Sequence, residues 1–114
     1  MHEVSLVRNI FQSIETQHPD IAPEKILCIY LKVGELSNVA PIALQNAFEA
    51  VIENDGRYLK AKLRIKVTPV RIYCEDCKKT SGIKNYHFVC PCGKPSKNIV
   101  QGDELFISRI EFSE

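Results

Sequence analysis

Four of the five cysteines lie between residues 74 and 92 as C-x2-C-x12-C-x-C, in two short pairs, Cys74-Glu75-Asp76-Cys77 and Cys90-Pro91-Cys92. A polar loop that brings the pairs together offers four thiolates to one tetrahedral Zn²⁺ and leaves no coordination position open, which describes a structural site. Two other readings exist for such a set, disulfides and unrelated free thiols. Paired cysteines in a chain without a secretory signal favour the metal knuckle. The second pair is short, because only Pro91 separates its cysteines, so its chelate ring is tight. His87, three residues before Cys90, is an alternative fourth donor.

The length of 114 residues and the 45% hydrophobic content suit one modest domain with a metal-stapled appendage. A net charge of +1 argues against a dedicated nucleic-acid or anionic-membrane binder, since either concentrates positive charge. A protein or a metal is the expected partner. No apolar run of about 18 residues occurs, and His2 and Glu3 stand where a signal peptide carries a basic region, so a cytoplasmic protein with reduced cysteines is expected.

Along the chain, Leu6, Val7, Ile10, Phe11 and Ile14 recur at helical spacing and predict an amphipathic helix from Ser5 to about Gln17, stopped at His18-Pro19. Ile26 to Val33 alternates as a strand, and Cys28 within it reads as a buried, inert thiol. Gly34 breaks that strand, and Ser37 or Asn38 can cap a second helix that starts near Pro41. Leu44, Ala47, Phe48, Val51 and Ile52 give the helix its apolar face, and Asn54-Asp55-Gly56 ends it. Lys60 to Thr68 alternates Ala61, Leu63, Ile65 and Val67 inward against Lys60, Lys62, Arg64 and Lys66 outward, a strand with a solvated face. Glu104–Phe112 is strand-like again. The expected fold is α+β, a small sheet of about three strands with two helices plus an inserted zinc-ribbon-like module. In residue ranges this means an α/β domain over 1–69 and 97–114, and a zinc-binding domain over 70–96.

The opening Met1-His2-Glu3 is the feature composition does not explain. A retained initiator methionine supplies an α-amine, His2 an imidazole, and the amide nitrogen between them, once deprotonated, a third donor. Three nitrogens in fused chelate rings suit Ni²⁺ or Cu²⁺. Glu3 offers an oxygen, or a hydrogen-bond acceptor for the imidazole.

Taken together, Met1-His2-Glu3-Val4-Ser5-Leu6, the run Val33-Gly34-Glu35-Leu36-Ser37-Asn38-Val39-Ala40-Pro41-Ile42-Ala43-Leu44 with Ala47-Phe48-Glu49 after it, and the paired cysteines closed by Gly93 resemble the HypA/HybF family. Members deliver nickel during maturation of [NiFe]-hydrogenase, and some also serve urease. The resemblance implies an N-terminal nickel-binding domain, a zinc domain, and work beside the nickel-handling GTPase HypB and the hydrogenase large subunit, as a monomer or homodimer. It places nickel on Met1 (amine), His2 (side chain and backbone) and Glu3, and zinc on Cys74, Cys77, Cys90 and Cys92. The family's second knuckle reads C-P-x-C-G, and Cys90-Pro91-Cys92-Gly93 is one residue shorter.

The resulting expectation is a non-enzymatic nickel metallochaperone. A zinc-ribbon module binding nucleic acid or protein through the cationic strand and Lys78-Lys79 is the alternative, but cations interleaved with aromatic residues for base stacking are not evident. A metallo-hydrolase needs an open metal position, and four cysteines leave none.

Overall fold

The computed structural model describes residues 2–113, His2 by its backbone alone. The described elements are α1 (His2–Gln17), β1 (Ile26–Gly34), α2 (Pro41–Asp55), β2 (Lys62–Thr68), β3 (Arg71–Cys74), β4 (Lys79–Gly82), β5 (Ile99–Gln101) and β6 (Leu105–Phe112). They form two three-stranded sheets, ordered β2-β1-β6 and β4-β3-β5. The chain clusters into two compact units, one of residues 1–31, 39–66 and 106–114, the other of residues 32–38 and 67–105. Among the described residues no helix is long and apolar enough to cross a membrane.

The helices of the first unit form because their apolar residues fall on one side. Val7, Ile10, Phe11 and Ile14 of α1 and Leu44, Ala47, Phe48 and Val51 of α2 are all buried, and the two helices pack on each other. Phe11 is the centre of an aromatic cluster, stacked on Tyr58 with ring centroids 3.9 Å apart and tilted against Phe48 at 5.5 Å. Each such side chain contributes roughly 1.5–3 kcal/mol by leaving water. Gly56 ends α2 at φ 80 and its N–H donates to the Ile52 carbonyl, the glycine stop expected from the sequence. The start of α2 differs from expectation. Its N-cap is Ala40, without a side-chain cap, while Asn38 takes a left-handed conformation at the end of a 3-10 turn over Glu35–Ser37. Pro41 supplies the helical φ at the first position, where its missing N–H costs nothing.

Strand β1 lies between β2 and β6, and residues of both phases are buried along it, Ile26 and Cys28 as well as Ile29, Leu31 and Val33. A central strand covered on both sides loses its polar alternation. On β2, Lys62, Arg64 and Lys66 are exposed and Leu63 is buried. The phase then slips at the end of the strand, where Val67, expected inward, is exposed and Thr68 is buried. The Thr68 hydroxyl donates to the Glu104 carboxylate, a polar contact that draws the threonine inward in place of the valine. On β6, Tyr30 of the neighbouring β1 donates to Glu111 Oε1 at 2.6 Å, and the Arg109 guanidinium lies 4.4 Å from the Tyr30 ring centroid.

The second unit is more than a loop between knuckles. Strand β3 pairs antiparallel with β4, Arg71 opposite Gly82 and Cys74 opposite Lys79, and with β5 on its other side. Val70 and Ile72 are its buried apolar anchors.

Candidate metal centre

Each cysteine pair sits at a turn that the backbone closes. Cys74 is the last residue of β3 and Cys77 lies in the turn to β4, where the Lys78 N–H donates to the Cys74 carbonyl at 2.7 Å. Lys78 has φ 56 there, a left-handed corner in which an L-residue is tolerated because the hairpin holds both sides. The second pair is built from a tighter turn. The Gly93 N–H donates to the Cys90 carbonyl at 2.8 Å, and the Cys90 N–H donates to the Lys94 carbonyl at 2.9 Å. Gly93 takes φ 96, and a Cβ there would meet nothing within 4 Å, so glycine is required by conformation and not by space.

These two turns bring four sulfurs together. The metal-ligating atoms of Cys74, Cys77, Cys90 and Cys92 all lie within 4.8 Å of one another. Sulfur–sulfur separations are 3.8 Å for Cys74 and Cys92 and 3.7 Å for Cys90 and Cys77. A disulfide needs about 2.05 Å. The edge of a tetrathiolate tetrahedron with Zn–S near 2.3 Å is about 3.8 Å. With one residue fewer in the second knuckle, these two separations still match that edge.

The thiols are unlike one another. Cys74 and Cys90 are buried, Cys77 is half-buried and Cys92 is exposed. The Lys94 backbone amide, with the Cys77 and Cys90 thiols after it, brings the Cys92 thiol down to about 7. The Cys92 and Cys90 thiols beside it push Cys77 up to about 12. A cation entering the cluster must displace the thiol protons that remain. Across the two turns Lys94 Nζ meets Asp76 Oδ2 at 3.0 Å, both largely exposed, a contact that contributes little on its own.

His87 lies outside this group. It closes a tight turn in which Asn85 and Tyr86 both have positive φ, its N–H donating to the Lys84 carbonyl at 2.9 Å, and it is exposed. Cys28 is buried within β1, remote in sequence from the knuckles. At the other end of the chain, Met1 and the His2 side chain lie outside the described residues. Glu3 is half-buried in the first turn of α1, where an acidic side chain is favourable to the helix dipole. Sequence reasoning missed the three short strands that frame the cysteines. The one signal that pointed to them is the turn chemistry of Gly82, Asn85 and Gly93.

The family model described as hydrogenase/urease nickel incorporation, metallochaperone, hypA matches residues 1–112. The chain is 35% identical to a hydrogenase maturation factor HypA of Desulfitobacterium hafniense, over all of both chains. It is 36% identical to one of Actinobacillus succinogenes, over 96% of this chain and 97% of that one. Among solved structures, the solution structure of the Ni metallochaperone HypA from Helicobacter pylori superposes with a TM-score of 0.65 at 25% identity, over 96% of each chain.

Proposed function

This chain belongs to the HypA family of hydrogenase/urease nickel-incorporation metallochaperones, and from that premise we propose that it binds Ni(II) at its N-terminus and delivers it during [NiFe]-hydrogenase maturation. The observation that carries the reading is the family match from residue 1 to residue 112, which includes the Met1-His2-Glu3 opening. Nickel is held by the Met1 amine, the His2 amide and imidazole, and Glu3. His2 is the first residue of α1, and the first four N–H groups of a helix have no intrahelical acceptor. Surrendering the His2 amide proton to a metal therefore costs the helix no hydrogen bond.

Cys74, Cys77, Cys90 and Cys92 hold one structural Zn(II), whose binding energy orders the zinc-binding domain over 70–96. The domain over 1–69 and 97–114 carries the nickel end. A cytoplasmic HypB-type GTPase and the hydrogenase large subunit are the protein partners, met near α1 by exposed residues such as Arg8 and Gln12, with the chaperone acting as monomer or homodimer and without catalysis of its own. Its nickel site must be open to exchange, because a cargo ion has to leave, whereas four thiolates suit an ion that stays.

The test is metal analysis with nickel titration on tag-free protein. About one zinc per chain and a separate nickel site that is lost when residues are added before Met1 is the expected result. Nickel binding that persists behind such an extension overturns the N-terminal assignment.

A further inference from the structure

The four cysteines of the cluster are equivalent as chemistry and unequal as positions. Cys74 and Cys90 are 3% and 5% exposed, and Cys77 is half-buried inside a turn closed on Cys74 itself. Cys92 alone is exposed. The reason is the short second knuckle. With one residue between its cysteines, the turn from Cys90 to Gly93 places Pro91 and Cys92 at its two corners, so Cys92 rides on the outside of the turn while Cys90 begins it. That turn does not depend on the Cys92 thiol. It is closed by the Gly93 N–H on the Cys90 carbonyl and the Cys90 N–H on the Lys94 carbonyl, and the antiparallel bridge of Val89 with Pro95 holds its base. Gly93, beside Cys92, has φ 96, and a Cβ added there would meet nothing within 4 Å.

We propose that Cys92 is the exchangeable ligand of the metal centre: Cys74, Cys77 and Cys90 retain the ion, and the Cys92 thiolate yields its place to a thiolate from outside the chain. The inference rests on the zinc reading above. The exchange is a ligand substitution without redox. The metal–sulfur bond to Cys92 breaks with both electrons leaving on sulfur, the incoming thiolate donates its pair to the metal, and the coordination number and metal charge are unchanged. A thiolate is the matching donor because it restores an all-sulfur set. The site then becomes a place where another molecule's sulfur can dock on this chain through a shared ion.

The experiment uses the full chain loaded with Co(II), whose spectrum reports the number of thiolate ligands. Wild-type protein first establishes the four-thiolate spectrum, and its absence refutes the four-cysteine zinc reading itself. Cys92→Ala is then titrated with 2-mercaptoethanol beside Cys74→Ala. The four-thiolate spectrum returns in the Cys92 variant and not in the Cys74 variant; rescue of both, or of Cys74→Ala alone, overturns the proposal. Glutathione and a cysteine-containing peptide, added separately, distinguish a small-thiol donor from a protein one. Where Cys92→Ala takes up no cobalt, limited alkylation of the wild-type zinc protein by iodoacetamide decides. Cys92 is modified at least about tenfold faster than the other three, in keeping with exposure governing thiol reactivity, and the zinc is retained. Equal rates, or zinc lost with the first alkylation, contradict the assignment.

Discussion

The backbone at Gly34 passes so close to Gly102 that a methyl group added to Gly34 would fall inside contact with the Gly102 carbonyl and within 2.7 Å of the Asp103 nitrogen. The two segments are also joined by hydrogen bonds, Gly34 N–H to the Glu104 carbonyl and Leu36 N–H to the Gly102 carbonyl, both 2.6 Å. Gly34 has φ −68, so alanine is conformationally acceptable there and the obstacle is steric. Gly34→Ala is expected to destabilise the protein by about 1–3 kcal/mol, the range for overpacking against atoms that cannot yield. Gly56→Ala is the control. It meets nothing within 4 Å but has φ 80, and its cost of about 1 kcal/mol is conformational. Urea unfolding of both variants checks the order.

Glu104 accepts from the Thr68 hydroxyl and from the Gly102 N–H at 2.9 Å. Those two bonds, the threonine first, hold its carboxyl below the ordinary glutamate range. Folding therefore favours the charged form. The stability this adds is complete above the unfolded pKa of about 4.3 and disappears as pH falls through the lower folded value. Glu104→Gln is expected to cost about 1 kcal/mol near neutral pH, the worth of a partly exposed charged hydrogen bond, and nothing at the acid end. Thermal melts of both proteins from neutral pH down to about 3 test this, and a difference that grows on acidification contradicts it.

Phe11 and Tyr58 bear on each other differently at ring and at hydroxyl. Tyr58 is fully buried, stacked on Phe11 at 3.9 Å, and its hydroxyl has no hydrogen-bond partner among the described residues. Phe11→Ala should cost about 3–5 kcal/mol through the cavity it opens. Tyr58→Phe removes only the unsatisfied oxygen and should be neutral or stabilising by up to about 1 kcal/mol. A large loss in Tyr58→Phe would show that the hydroxyl has a partner in solution.

Cys74→Ala or Cys77→Ala is expected to lose zinc together with order in residues 70–100, because the binding energy of a structural site is folding energy. Phe11, Phe48 and Ile29 belong to the compact unit that holds none of the four cysteines of the cluster, so amide protection there should persist. Hydrogen exchange on the zinc-free variants resolves the two outcomes region by region.

What could be read from the sequence divides by the length of each pattern. The helices carry more than two turns of apolar spacing, so Val7 to Ile14 and Leu44 to Val51 were legible, and Gly56 marked the end of α2. The cysteine spacing announced the four-thiol cluster directly. Strands β3, β4 and β5 have three or four residues each, too few for alternation to register, and they exist because turns and neighbouring strands hold them. The Val67–Thr68 slip and the Gly34–Gly102 crossing depend on what the strand meets in three dimensions. The exposure of Cys92 follows from turn geometry that spacing alone does not reveal.

The proposed function depends on nickel binding through Met1 and His2, separately from the zinc cysteines. An imidazole and an α-amine must both lose their protons to bind the metal, so nickel affinity should fall as pH drops. The most direct measurement is calorimetric nickel titration of tag-free His2→Ala beside the wild type, with zinc content determined on the same samples. His2→Ala is expected to lose the specific nickel site and to keep its zinc and its helical spectrum. Wild-type nickel affinity in His2→Ala would contradict it.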